Sequence, residues 1–211
     1  MDRLIIRYLH LLMLIPLAAS LQAQNITYGV KAGLNLNNLN ISPEEDPPAP
    51  KLRPGIHFGV FLQYNLTEAI SIHPEISVST QGANDRDPEV DQRVKLTYVN
   101  IPVLVKYQLP VGVNLFAGPQ IGFLVGGTFE EEEKGSGEQD NYQARDYYKG
   151  TDFSFGFGAG YSLDMGIDIN IRYNLGLSDN NNDSQGDAFY DPEQQIRSQV
   201  FQISVHYYIG R

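Results

Sequence analysis

The chain has 211 residues, 42% of them hydrophobic and 19% charged, which suits one domain with a targeting segment. It contains no Cys, which excludes disulfides, thiolate metal sites, a thiol nucleophile and a lipid-modified cysteine anchor. A net charge of -10 argues against nucleic acid as a partner, because phosphate binding needs a basic surface.

Residues 1–23 read as a signal peptide. Arg3 and Arg7 precede an apolar run from Tyr8 to Ala19, and Leu21-Gln22-Ala23 offers a cleavage site before Gln24. The run is interrupted by His10 and is short for a membrane helix, and no later stretch has 18 consecutive apolar residues, so a helical membrane protein is excluded. Residues 24–211 form the expected domain.

Eight segments of period-two alternation follow in that domain. Apolar side chains alternate over 28–36, 56–66, 70–80, 99–109, 113–125, 153–163, 167–177 and 201–209, the last strand starting near Ser198. Thr80 is the one polar member of this set, and none is charged. The connections alternate in length. Long polar segments, 38–54, 82–93, 127–151 and 178–197, follow odd-numbered strands. Tight turns at 67–69, 110–112 and 164–166 follow even-numbered ones. An even strand count, with long loops on one rim and short turns on the other, predicts an all-β, eight-stranded antiparallel up-and-down transmembrane β-barrel. Strands 1 and 8 must pair to close it, because an open sheet edge does not survive in hydrocarbon.

A soluble barrel would also alternate, with its apolar face inside. The interleaved set decides between the two. It is rich in Gly, Asn, Gln and Ser, and its only charges are Lys31, Glu75, Lys106, Asp152, Asp168 and Arg172, three of each sign. A water-washed surface would favour Lys and Glu over glycine. The charge-free set is therefore expected to face lipid and the polar set to fill the interior. Eight strands leave room only for side chains, so a plugged lumen is expected. In it Lys31, Lys106 and Arg172 would form an ion-pair network with Glu75 and Asp168, since an isolated buried charge is costly. A conducting or proton-relaying path is the alternative.

Catalytic and metal chemistry finds little support. The mature histidines His57, His73 and His206 all fall on the inward set, with His57 toward the long-loop rim and the others toward the opposite one; hydrogen-bonded interior histidines are favoured over a metal site. Asp179-Asn180-Asn181-Asn182-Asp183-Ser184 resembles the start of a calcium loop, but Ser184 and Tyr190 stand where glycine and a bidentate Glu belong. Glu75 near His73 is the nearest approach to an acid–base pair, and no nucleophile accompanies it. No enzyme, catalytic residue, cofactor or resident metal is expected. Acidic runs at Glu44-Glu45-Asp46, at Asp85, Asp87, Glu89 and Asp91, at Glu130 to Glu133, and at Asp179, Asp183, Asp187, Asp191 and Glu193 make the long connections solvated and mutually repelling. A loop-bound divalent cation or a protein partner is the alternative use for them.

Tyr98-Val99-Asn100-Ile101-Pro102-Val103-Leu104-Val105-Lys106-Tyr107 resembles a strand of the PorT-like outer-membrane β-barrel family of the Bacteroidetes. Phe116-Ala117-Gly118-Pro119, the Phe/Gly alternation of 152–161, Arg172 to Ser178 and Gln199 to Val205 are similar too, so the resemblance covers nearly the whole mature chain. It implies a barrel of the outer membrane (a porin-family, cell-envelope protein) without established enzymatic activity; the namesake branch is associated with type IX secretion. The expected role is structural or interactive, with secretion or transport as the alternative. The expected partners are outer-membrane lipid and the barrel-assembly machinery, which would read the aromatic Tyr207-Tyr208-Ile209 end; Gly210-Arg211 departs from the usual terminal aromatic. The chain is expected to be a monomer.

Overall fold

The computed structural model describes residues 25–42, 52–86, 90–133, 139–143, 148–182 and 195–209. The candidate signal peptide, Gly210-Arg211 and the acidic residues Glu44, Glu45, Asp46, Asp87, Glu89, Asp183, Asp187, Asp191 and Glu193 lie outside the described residues.

Among the described residues there are nine strands: β1 (Ile26–Ser42), β2 (Arg53–Asn65), β3 (Ile70–Arg86), β4 (Val90–Gln108), β5 (Val113–Glu133), β6 (Gln139–Gln143), β7 (Thr151–Leu163), β8 (Ile167–Gly176) and β9 (Gln195–Ile209). Eight of them form a closed antiparallel ring, β1-β2-β3-β4-β5-β7-β8-β9, with β9 returning to β1. The closing seam runs from Tyr28 opposite Ile209 to Ser42 opposite Gln195. Strand β6 stands outside the ring and, among the described residues, pairs with the far end of β5, Glu132 opposite Gln139.

The strands therefore run further than their apolar alternation. β4 begins at Val90 rather than near 99, and its hairpin with β3 persists to Arg86 opposite Asp91. β5 reaches Glu133, and β9 starts at Gln195. The reason is physical: period two marks a strand only where its two faces meet different solvents. Beyond the bilayer the outward side chains meet water, so the outward apolar stripe of β4 ends at Val99 while the backbone ladder continues and inward Val94, Leu96 and Tyr98 stay buried. A register shift at Thr97/Tyr98 in the β4–β5 ladder marks the start of this outer arm.

Burial separates the two side-chain sets. Along β9 every residue from Val200 to Ile209 alternates, with Phe201, Ile203, Val205, Tyr207 and Ile209 exposed and Val200, Gln202, Ser204, His206 and Tyr208 buried. Leu34 is 64% and Phe58 58% exposed on the same outer surface. An apolar belt encircling the molecule is far larger than a soluble monomer tolerates, and hydrocarbon is the solvent that accepts it. Tyr28, Tyr64, Tyr107, Tyr161 and Tyr207 point outward near the short-turn end, the place of an interfacial aromatic girdle. The turn between β7 and β8 is tight, with Met165 (φ 77°) and Gly166 (φ 73°) both left-handed.

Val103 lies midway along the outward residues Val99 to Tyr107 of β4. Its replacement by Arg should destabilise the barrel in lipid vesicles by about 2–4 kcal/mol. Replacement by Leu should change stability by less than about 0.5 kcal/mol. Urea titration of the vesicle-inserted protein measures both, and equal tolerance of the two would place this face in water.

Candidate functional site

The lumen is stacked in zones, each built from alternate residues of neighbouring strands. At the short-turn end lies a cup of about 430 Å³, floored by Gln63, Ser71, Lys106 and Gln108 and rimmed by Asn25, Asn65, Thr67 and Glu68. Above it Lys106 Nζ donates to Asp168 Oδ2 at 2.6 Å and to the Tyr208 hydroxyl at 3.0 Å. That hydroxyl has one proton for two acceptors, Gln63 Oε1 at 2.8 Å and Asp168 Oδ2 at 3.0 Å.

The next zone centres on Glu75 of β3. Lys31 Nζ of β1 donates to its Oε2 at 2.6 Å, and Arg172 of β8 donates Nη1 to Oε2 at 3.1 Å and Nη2 to Oε1 at 2.5 Å. This fork geometry ties both carboxylate oxygens. The arginine lies over the Phe116 ring, 5.3 Å from its centroid. Gly158 makes room there, since a Cβ at that position would meet the Ile171 carbonyl at 2.1 Å and the Phe116 ring at 2.8 Å. The five charged residues read from the sequence are all buried, and their ion pairs gather in two knots, Lys31–Glu75–Arg172 and Lys106–Asp168. A cavity of about 10 Å³, the size of one water, lies between the knots and is lined by His73, Glu75, Lys106, Asn170, Arg172 and His206 among others.

His73 and His206 stack with Phe61, with ring centroids 4.7 to 5.7 Å apart. The nitrogens of His73 and His206 and the Glu75 carboxylate fall within 4.8 Å of one another, which resembles a ligand set. Charge opposes that use. Glu75 is already shared by two cations, and a divalent ion would join Lys31, Lys106 and Arg172 against only Glu75 and Asp168 in a low-dielectric lumen. The expectation that the histidines are fully hydrogen-bonded needs correction. His57 Nδ1 meets Asn35 Oδ1 at 2.7 Å and His206 Nε2 meets Ser204 Oγ at 3.2 Å, but His73 has no well-aligned hydrogen bond, its Nε2 lying 3.4 Å from Glu75 Oε1. Ring stacking and that carboxylate contact hold His73.

Toward the long-loop end the lumen turns neutral and then apolar. Asn35 takes part with His57, Ser79 and Gln202, and Gln120 donates to Ser154. Asp152, buried at the start of β7, accepts Ser178 Oγ and Asn180 Nδ2 on one oxygen (3.1 and 3.0 Å) and Ser198 Oγ on the other (2.8 Å). It thereby pins the stretch after β8 to β9. Asp179, in the candidate calcium loop, is committed likewise. Its Oδ1 accepts the backbone N–H of Asn181 and of Ile196, and its Oδ2 accepts Lys149 Nζ at 3.2 Å. Partial burial opposes its charge, yet these two N–H groups and the Lys149 ammonium outweigh it and hold the carboxyl below its ordinary range. Above Asp152, Val94, Leu96, Tyr98, Leu124, Tyr148 and Ile196 pack into an apolar cluster with Leu39 against it. This cap lies in and beside the segments that sequence reading gave to polar loops. The inward parity of Val94, Leu96 and Tyr98, continuous with Asn100 and Lys106, is the signal that could have found it.

Residues 22–182 match the family described as outer membrane protein beta-barrel domain, more than two thirds of the chain. The chain belongs to this family. The fold seen here, a closed eight-stranded antiparallel barrel, agrees with that description and places the chain in the outer membrane. Among solved structures, the attachment invasion locus protein Ail of Yersinia pestis superposes with a TM-score of 0.51 at 10% identity, over 88% of this chain and 99% of that one. The same protein in complex with the heparin analogue sucrose octasulfate gives 0.51 at 11%, with the same coverage. Neisserial surface protein A gives 0.45 at 12%, over 85% and 96%. At such identities the likeness concerns the fold alone. No curated protein sequence matches the chain significantly.

Glu75→Leu leaves Lys31 and Arg172 buried without their carboxylate, and should destabilise the barrel by about 3–5 kcal/mol in urea titrations. Joint replacement of Lys31, Glu75 and Arg172 by Met, Leu and Met should recover most of that loss. Asp152→Ala should cost about 1–3 kcal/mol and raise amide exchange in 178–182. Unchanged exchange there would remove Asp152 as the pin.

Proposed function

We propose that this family member is a non-enzymatic, side-chain-filled barrel that anchors long acidic loops at the cell surface in a structural or interaction role. The observation that carries the reading is the stacked occlusion of the lumen. An ion entering through the cup meets Lys106–Asp168, then Glu75 with its two cations, then the cap of Val94, Leu96, Tyr98, Leu124, Tyr148 and Ile196. Two cavities above the cup are each about 10 Å³, room for one water, which leaves an ion little way through.

The long connections face outward because outer-membrane barrels keep short turns in the periplasm and long loops outside. Catalysis is disfavoured by the same packing: Ser204 and His206 approach within 3.2 Å, but both are buried in the occluded lumen, out of reach of any substrate. The resemblance of 98–107 and 172–178 to PorT-like barrels of the Bacteroidetes supports a place in that branch, and with it a second reading as an accessory of secretion. Assembly machinery would engage β9, whose outward Phe201, Tyr207 and Ile209 form its apolar edge signal.

Single-channel recording of the purified barrel tests the first reading. No steady conductance should appear, in wild type or after charge exchange at Arg172 and Asp168. A steady current altered by those exchanges would replace it with transport. Protease added to intact cells should cut the long connections while leaving the turns at 67–69, 110–112 and 164–166 whole; the converse pattern would invert the topology.

A further inference from the structure

Three prolines lie inside membrane-spanning strands, Pro74 in β3, Pro102 in β4 and Pro119 in β5. A closed ring has no edge strand on which to place them. Each stands at a skipped step of the ladder. Between β2 and β3 the pairing passes from Phe61–Glu75 to Tyr64–Ile72, omitting Leu62 opposite Pro74 and Gln63 opposite His73. Between β3 and β4 it passes from Pro74–Val103 to Ser77–Asn100, omitting Glu75 opposite Pro102 and Ile76 opposite Ile101. Between β4 and β5 it passes from Pro102–Gln120 to Val105–Ala117, omitting Val103 opposite Pro119 and Leu104 opposite Gly118. Proline has no N–H to give, so the carbonyls of Leu62, Glu75 and Val103 lose their ladder donor.

The three breaks touch end to end. Pro74 adjoins Glu75 and Pro102 adjoins Val103, so one row crosses β2, β3, β4 and β5 near the middle of the apolar belt. The ladders β1–β2, β1–β9, β5–β7, β7–β8 and β8–β9 run through without a skipped step. In hydrocarbon no water replaces a missing donor, so the loss is felt in full at this depth. The lumen gives the row little backing, because His73, Glu75 and Leu104, all at skipped steps, line the one-water cavity between the two knots. Two side chains tie these strands across the lumen to the far wall. Glu75 accepts from Lys31 of β1 and Arg172 of β8, and Lys106 donates to Asp168 of β8 and Tyr208 of β9.

We infer that β2 to β5 form a panel that parts along the proline row ahead of the rest of the barrel, while the β1–β9 seam between first and last strands stays shut. The unbroken β1–β2 and β5–β7 ladders bound the panel. The wall is thereby divided into a stiff part, β7-β8-β9-β1, and a compliant part held closed across the lumen by Glu75 and Lys106. Register and covalent structure define the panel, so it is the same whichever rim faces outward.

Amide hydrogen exchange tests the panel in the full mature chain, refolded into phosphatidylcholine vesicles and read by mass spectrometry. Segments 60–64, 72–77 and 100–105 should exchange at least about tenfold faster than 169–173 and 201–205, which lie mid-belt on β8 and β9. P74A/P102A/P119A supplies the missing N–H groups and should slow exchange in the panel toward the β8–β9 rate. The chain has no Cys, so one engineered disulfide can be added without competing thiols. Val78 and Val99 are directly opposed across β3 and β4, and Ile171 and Ile203 across β8 and β9. Oxidised V78C/V99C should unfold in urea about tenfold more slowly than its reduced form, whereas oxidation of I171C/I203C should change the rate by less than about threefold. Even exchange around the ring would overturn the panel, as would equal slowing by the two disulfides. A triple alanine variant that exchanges as the wild type does would also overturn it; if that variant does not refold, the two disulfides decide the matter.

Discussion

Hydrocarbon offers no hydrogen-bond partner to a peptide group, and nearly everything in this molecule follows from that. The β1–β9 seam has to close, because any unpaired strand edge in the bilayer would leave a row of N–H and C=O groups unsatisfied. Closure with eight strands fixes a narrow circumference. The narrow circumference in turn decides what the interior can be: too small for a water channel, too crowded for large side chains on every strand, and obliged to alternate with an apolar outside. Glycine at 158 beside Phe116 and Arg172 is one local consequence, a strand position given up so that a ring and a guanidinium fit.

The buried charges then act as register pins. Lys31, Glu75 and Arg172 come from β1, β3 and β8, and Lys106, Asp168 and Tyr208 from β4, β8 and β9. A slip of one residue in any of these strands would send its charged member into lipid and strand its partner inside. Such pairs add little net stability over well-packed apolar residues, but the cost of mispairing them is large. The apolar cap at the long-loop end works differently. It involves no charge and covers the top of the lumen, so the hydrogen bonds by which buried Asp152 holds Ser178, Asn180 and Ser198 are little diluted by solvent.

The membrane-spanning part was legible in the sequence because two solvents write two alternating sets, and the charge-free set could only face lipid. Strand number, closure, the tight turns and the outward side of each strand all follow from that contrast. The outer arms were not legible. Val94 and Leu96 alternate with Arg93 and Lys95, but so short a stretch next to an acidic run reads as polar connection, and β6 has no apolar stripe at all. Within the lumen the inward position of Lys31, Glu75, Lys106, Asp168 and Arg172 was readable, whereas their grouping into two knots was not, since pairing across non-adjacent strands depends on side-chain length and on barrel shear. Phe61, Phe116 and Tyr208, large aromatics on the inward set, carried the missing information: they divide the lumen and decide which charges can meet.

From the short-turn rim to the long-loop rim, the charge of the described side chains changes by zone. The first rim carries Glu68 and Asp164, the lumen sets Lys31, Lys106 and Arg172 against Glu75, Asp168 and Asp152, and the far rim carries Arg93, Lys95, Lys149 and Arg197 with Asp179. The lumen is balanced, three cations against three carboxylates, and balance is required there because water screens the charges at either rim far better than a packed interior can. The place of each charged side chain along its strand thus follows from the solvent at that depth, as the place of the outward apolar set does.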